Sequence, residues 1–212
     1  GAGELKEPRG IAVSVNNKIY VAEKANSRIS VFNDQGLFLY HFGHHDTDSS
    51  DLNKPQQIAL DAQENVYVLE SGENFRISIY SYNGILIKQL NRKQFNSSFK
   101  SSLDISAMTV DLNGKLYLSD VNAMQIFTFD WEHNKVISPF GSLGQSRGQY
   151  RNISQLSINN RGQLAVLDNK NKKIEIYQMD DTSFDTPVKT NTLKLGNILN
   201  IKCESVQRYI NE

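Results

Sequence analysis

Apolar side chains return in short alternating runs along this chain, and four of the runs can be laid in register without a gap. They are "IAVSVNNKIYVAE" from Ile11, "IALDAQENVYVLE" from Ile58, "MTVDLNGKLYLSD" from Met108 and "LSINNRGQLAVLD" from Leu156. Each places two apolar stretches around a polar turn of Asn, Gln, Glu, Gly or Arg, which is the period-two signature of paired, half-buried strands. A third run follows each, "RISVF" from Arg28, "RISIY" from Arg76, "QIFTF" from Gln125 and "KIEIY" from Lys173. A fourth closes each unit: "LFLYHFG" from Leu37, "ILIKQLN" from Ile85, "KVISPFG" from Lys135 and, after a longer detour, "TLKLG" from Thr192. No stretch in the repeats holds an i, i+3, i+4 apolar stripe over the roughly ten residues a helix needs, so the pattern predicts strands.

The units recur about every 48 residues, and fixed-period self-similarity of that length reads as a repeat architecture. Four antiparallel strands per unit is the size of a propeller blade. One small sheet cannot bury both of its faces, so blades must stack against one another. The expected fold is all-β, a β-propeller over residues 1–196 with blades at about 5–43, 52–91, 103–141 and 150–196. Ile11, Ile58, Met108 and Leu156 should occupy equivalent places, and Val13, Leu60, Val110 and Ile158 should be buried between blades. Residues 197–212 read as part of a further blade or as a short helix.

"PRGIAVSVNNKIYVAEKANSRISVFNDQG", from Pro8 to Gly36, resembles the NHL repeat, with Pro8, Gly10, Asn26, Arg28, Ile29, Phe32 and Gly36 in the pattern's places and Glu23 for its Asp. The second unit keeps Pro55, Arg76 and Gly84; the third and fourth keep Asp120 and Asp168 but carry Gln125 and Lys173 for the Arg. The resemblance implies a propeller that usually has six blades. Four recognisable blades leave three arrangements: part of a larger propeller, a closed four-bladed ring, or an arc completed by another chain. The missing seam strand favours an incomplete ring, whose open edges would drive self-association.

Strand reversal sorts the turns onto two faces. First-to-second turns at Asn16, Gln63, Asn113 and Arg161 are tight, whereas the interblade connections His44–Lys54, Arg92–Ser102 and Ser142–Asn152 are long. Loops on a rigid scaffold carry recognition. The long-loop face is therefore the candidate binding face, with Phe75, Phe95, Phe99, Arg147, Tyr150 and Arg151 as contact residues of the types that anchor interfaces. Arg28 and Arg76 are read instead as structural partners of Glu23 and Glu70, and Trp131 as packing on its hairpin.

Composition adds mainly exclusions. With 39% hydrophobic and 22% charged residues the chain is an ordinary globular one, and 23 Lys+Arg against 23 Asp+Glu give no overall field for nucleic acid or anionic lipid. The single Cys203 excludes an intrachain disulfide framework and leaves the compartment open. No apolar run reaches the length of a membrane span, and "GAGELKE" has no signal-peptide pattern. "GQSRG" at Gly144–Gly148 has the letters of a nucleophile elbow but neither a strand-to-helix turn nor a later His. "HHDTDSSD" at His44–Asp51 lacks the Gly and Glu that a Ca²⁺ loop from Asp46 needs. Peptide-amidating lyases built on NHL-like repeats would need converging His ligands, and His41, His44, His45 and His133 do not converge in the pattern. No cofactor or metal is implied. The leading expectation is a non-catalytic module for a protein or peptide partner. The resemblance supplies RNA binding as the alternative, with Arg92, Lys93, Lys100, Arg147 and Arg151 as its basic set, and the lyase or hydrolase as the weaker one.

Overall fold

The computed structural model describes residues 3–43, 52–70, 75–95, 103–130, 133, 135–179 and the backbone of 188–194. Sixteen of its strands make four antiparallel sheets of four strands each. The first holds β1 (Pro8–Val13), β2 (Ile19–Glu23), β3 (Arg28–Phe32) and β4 (Phe38–Phe42) in chain order. The second holds β5 (Gln57–Leu60), β6 (Val66–Glu70), β7 (Arg76–Tyr80) and β8 (Leu86–Asn91), followed by a single helical turn α1 (Arg92–Phe95). The third holds β9 (Ile105–Val110), β10 (Leu116–Asp120), β11 (Gln125–Asp130) and β12 (Lys135–Phe140). Two short strands, β13 (Ser142–Leu143) and β14 (Gln149–Tyr150), pair in parallel within the next connection. The fourth sheet holds β15 (Ile153–Ile158), β16 (Gln163–Asp168), β17 (Lys173–Gln178) and β18 (Val188–Lys194).

The repeat register holds residue for residue. Ile11 pairs with Val21, Ile58 with Val68, Met108 with Leu118 and Leu156 with Val166, so these first-strand residues are equivalent. The sheets pack radially through their first strands, β1 on β5, β5 on β9 and β9 on β15. Alternation along the middle strands feeds both neighbours: Val66 and Val68 join the apolar cluster with the first blade, while Tyr67 and Leu69 join the cluster with the third. A third cluster, containing Tyr117, Ile126, Leu164 and Val166, lies between the third and fourth blades. Polar clamps fix the stacking. The Gln57 carboxamide donates to the Ser106 carbonyl at 3.0 Å and accepts from the Met108 N–H at 2.8 Å, and Ser106 Oγ donates to the Ile153 carbonyl at 2.9 Å. At Gly10 a Cβ would lie 3.0 Å from the Gln57 Cα and Ile58 N, both backbone, so a larger residue there would have to push β1 and β5 slightly apart.

One burial expectation is corrected. Val110 is buried, and Leu60 and Ile158 pack half-buried against the interblade clusters, but Val13 is 61% exposed and its neighbour Ile11 68%. These first-strand positions all face the preceding blade. No blade precedes the first among the described residues, and no packing comparable to β9 on β15 joins β15 back to β1. The segments expected at 44–51, at Trp131 and at 197–212 lie outside the described residues.

Candidate interaction surfaces

Each second strand ends in a buried acid that ties the long-loop end of its blade. Glu23 accepts from Arg28 Nε at 2.7 Å, Asn26 Nδ2 at 2.6 Å, Ser30 Oγ and the Lys6 N–H. Burial alone would raise its pKa; the Ser30, Arg28, Lys6 and Asn26 hydrogen bonds outweigh that and hold the carboxyl below its usual value. Glu70 repeats the arrangement with two bonds from Arg76, at 2.8 and 2.6 Å. Arg28 and Arg76 are therefore structural partners, as their sequence spacing suggests. Asp120 accepts the Asp104 and Asn122 N–H groups on Oδ1, while its buried Oδ2 has no partner among the described residues. Asp168 takes the Arg151 and Asn152 N–H groups and the Asn171 carboxamide.

The fourth blade uses its cation differently. Lys173 and Glu175 are both buried and pair at 2.9 Å, and the Lys173 ammonium also donates to the carbonyls of Ser146 at 3.0 Å and Gln149 at 2.6 Å. Tyr177 donates to the other Glu175 oxygen at 2.6 Å and bonds to the Tyr150 hydroxyl. Burial raises the pKa of both phenols, Tyr150 further through Tyr177 and Glu175, and Tyr177 through Glu175, so both remain neutral donors. Asn171 reaches the Gly144 carbonyl at 2.8 Å. The connection from Ser142 to Asn152 is thus pinned from beneath by side chains of the fourth blade.

Six residues were expected to make contacts on this face, and three of them do not reach it. Phe75, Phe95 and Tyr150 are fully buried. Phe75 and Phe95 lie 5.4 Å apart by ring centroid, and Phe95 is 4.3 Å from Phe129, so the two are core between the second and third blades. The reason is area: a ring that can leave water on a neighbouring blade does so, and α1 turns Phe95 inward. Period two offered a signal for Phe75, which stands in phase with the buried Ile77 and Ile79. Tyr150 is held inward by Tyr177. Phe99 lies outside the described residues. Arg147 and Arg151 are exposed on the pinned connection, together with Leu143, Gln145 and Ser146. Ser146 lies between β13 and β14, with no helix after it.

The opposite face, left aside by the sequence argument, carries two concavities. One, of about 310 Å³, is bordered by Asp61, Tyr67, Ile87, Lys88 and Asn113; the other, of about 360 Å³, by Asn16, Lys18, Gln63, Glu64 and Tyr82. No loop length announces them, because they form where tight turns of adjacent blades meet. Among the described residues no three His, Cys, Asp or Glu side chains converge to hold a metal, and no helix is long and apolar enough to cross a membrane.

Radially stacked four-stranded sheets, each tied by an acid at the end of its second strand, define a β-propeller. A family model described as NHL repeat matches residues 5–32, and one described as 6-bladed beta-propeller matches residues 100–207, just over half of the chain; the chain belongs to this six-bladed propeller family. Protein brain tumor of Drosophila melanogaster is 29% identical over 142 residues, which cover 66% of this chain and 13% of that relative. Among solved structures, a catalytically inactive virginiamycin B lyase from Staphylococcus aureus with quinupristin superposes with TM-score 0.57 at 18% identity, over 90% of this chain and 56% of that one. The structure of U3-55K superposes with TM-score 0.59 at 10% identity, over 90% and 54%. This chain therefore spans little more than half of either structure, and at these identities the likeness is one of fold.

Proposed function

We propose that the chain is a non-catalytic interaction module that binds a protein or peptide partner through its long-loop face, with Arg147 and Arg151 as the contact residues. The observation that carries this reading is the pinned Ser142–Asn152 connection. Its carbonyls at Ser146 and Gln149 are held by the buried Lys173, and Asp168 holds the N–H groups of Arg151 and Asn152. Exposed Arg and apolar groups on a backbone ordered before contact lose little entropy on binding. Phe75, Phe95 and Tyr150 support this face from inside, which changes their role from contact to scaffold. The lyase similarity adds a fold and no reacting group of this chain.

The test is capture of partners from native extract, with and without nuclease, using the wild type and the Arg147→Ala/Arg151→Ala double variant. A protein that survives nuclease and is lost with the double variant is the expected outcome. Loss of all binding on nuclease treatment would assign the face to RNA, whose binding should also fall steeply between about 50 and 200 mM salt. Partner capture indifferent to the double variant overturns the reading.

A further inference from the structure

The four turns between first and second strands are built alike. In each, the opening residue, Ser14, Asp61, Asp111 or Asn159, accepts from the N–H three positions on and donates to the carbonyl four positions on. The residue three positions on is left-handed: Asn17 at φ 60°, Glu64 at 60°, Gly114 at 82° and Gly162 at 71°. Glycine takes that conformation freely and asparagine readily, whereas a glutamate is strained in it. The second blade thus holds a carboxylate at a left-handed position where the other three blades have Asn17, Gly114 and Gly162.

That carboxylate lies, nearly buried, in the concavity of about 360 Å³ between the first and second blades. Its Oε1 accepts from Asn16 Nδ2 at 2.9 Å. Burial would raise its pKa, but hydrogen bonds from Ser14 and Asn16 and the charge of Lys18 hold it below the usual value, so it is ionised. Across the opening stands Tyr82, 53% exposed, its carbonyl held by the Tyr40 hydroxyl at 2.6 Å. The Lys18 ammonium sits between them, 4.0 Å from Glu64 Oε2 and 5.5 Å from the Tyr82 ring centroid. At 4.0 Å this is charge attraction without a hydrogen bond. A planar guanidinium suits such a pair better, since it can lie on the ring while donating to the carboxylate.

We infer that Glu64 and Tyr82 form a receptor for an arginine side chain of a bound polypeptide, with Lys18 as the resident cation that an incoming arginine displaces. The exposed Gln63 borders this concavity and its neighbour alike, so a carboxamide able to bond a peptide main chain runs from one to the other. The receptor lies on the tight-turn face, opposite the surface proposed above, and does not depend on it.

The probe is N-acetyl-arginine methylamide, titrated against the ¹⁵N-labelled chain while the amides of Asn16, Gln63, Glu64 and Tyr82 are followed by NMR. Lys18→Met, which keeps the aliphatic stem and removes the competing charge, should tighten probe binding about five-fold. Glu64→Gln should abolish the saturable shifts, Tyr82→Leu should weaken them, and Arg147→Ala/Arg151→Ala should leave them unchanged. Equal shifts from the uncharged norleucine analogue, or an arginine titration unaltered by Glu64→Gln or by Lys18→Met, overturn the inference. Spermidine producing the same shifts at equal or lower concentration would mark a polyamine site and overturn the assignment to a polypeptide. A dispersed amide spectrum for each variant checks its fold, and the Lys18→Met comparison decides alone if Glu64→Gln does not fold.

Discussion

Glu70 in the second blade and Asp120 in the third end equivalent strands, facing Arg76 and Gln125 in the same register. Glu70 takes two bonds from its arginine, whereas Asp120 keeps a buried oxygen without a described partner. The fourth blade is different again: its lysine turns away from the strand-end acid toward Glu175 and two loop carbonyls. The repeat therefore conserves an anchoring place across its blades while the cation beside it is free to change work. In the second blade it binds the strand-end acid Glu70, and in the fourth it orders a long connection.

The largest expected effect breaks that contrast at its strongest point. Lys173→Met leaves Glu175 buried without its cation and two carbonyls without their donor, and should destabilise the chain by about 3–5 kcal/mol in chemical denaturation. Adding Glu175→Gln should recover part of the loss, because the remaining amide is no longer a buried charge. A loss no greater than that of an exposed Lys170→Met would show that the pair does not anchor the connection.

A second contrast sets Met108 against Ile11. The two are equivalent by register, yet Met108 is buried against the second blade and Ile11 is mostly exposed. Met108→Ala should cost about 2–4 kcal/mol, while Ile11→Ala should change stability by less than about 0.5 kcal/mol. Equal costs would mean that Ile11 is covered in solution, by a further blade or by a second copy. Repeating the measurement at several protein concentrations separates those two, since only the second depends on concentration.

The fold was legible because it rests on period. Alternating apolar positions and recurrent turns survive wherever a sheet needs two neighbours, so strands, register and the Arg28 and Arg76 partnerships could be read from spacing. The site was less legible because exposure is decided by the neighbouring blade. Phe95 and Tyr150 stand in loops by sequence, yet one is drawn into the aromatic cluster with Phe75 and Phe129, and the other is bonded to Tyr177 from the next sheet. Ile11 and Val13 fail in the opposite sense: their pattern is that of core, yet the described residues leave both mostly exposed. Glu64 was hidden among turn residues, and it stands out only once the fold brings it beside Asn16, Lys18 and Tyr82.

The smallest expected effect sharpens the opening contrast by trying to erase it. Gln125→Arg places in the third blade the cation that Arg76 supplies in the second, across the same Cα pair, with Asp120 Oδ2, which has no partner among the described residues, as its acceptor. A charge-assisted bond to a buried carboxylate gains more than a neutral one, but the guanidinium must shed water to make it, and Asp120 is one methylene shorter than Glu70. The balance should be a gain of about 1 kcal/mol. The gain must vanish in an Asp120→Asn background, since the arginine then meets no charge. An equal gain in that background would trace the effect to packing of the longer side chain, and no gain in either would mean that the vacant oxygen is already satisfied in solution, by water or by a segment outside the described residues.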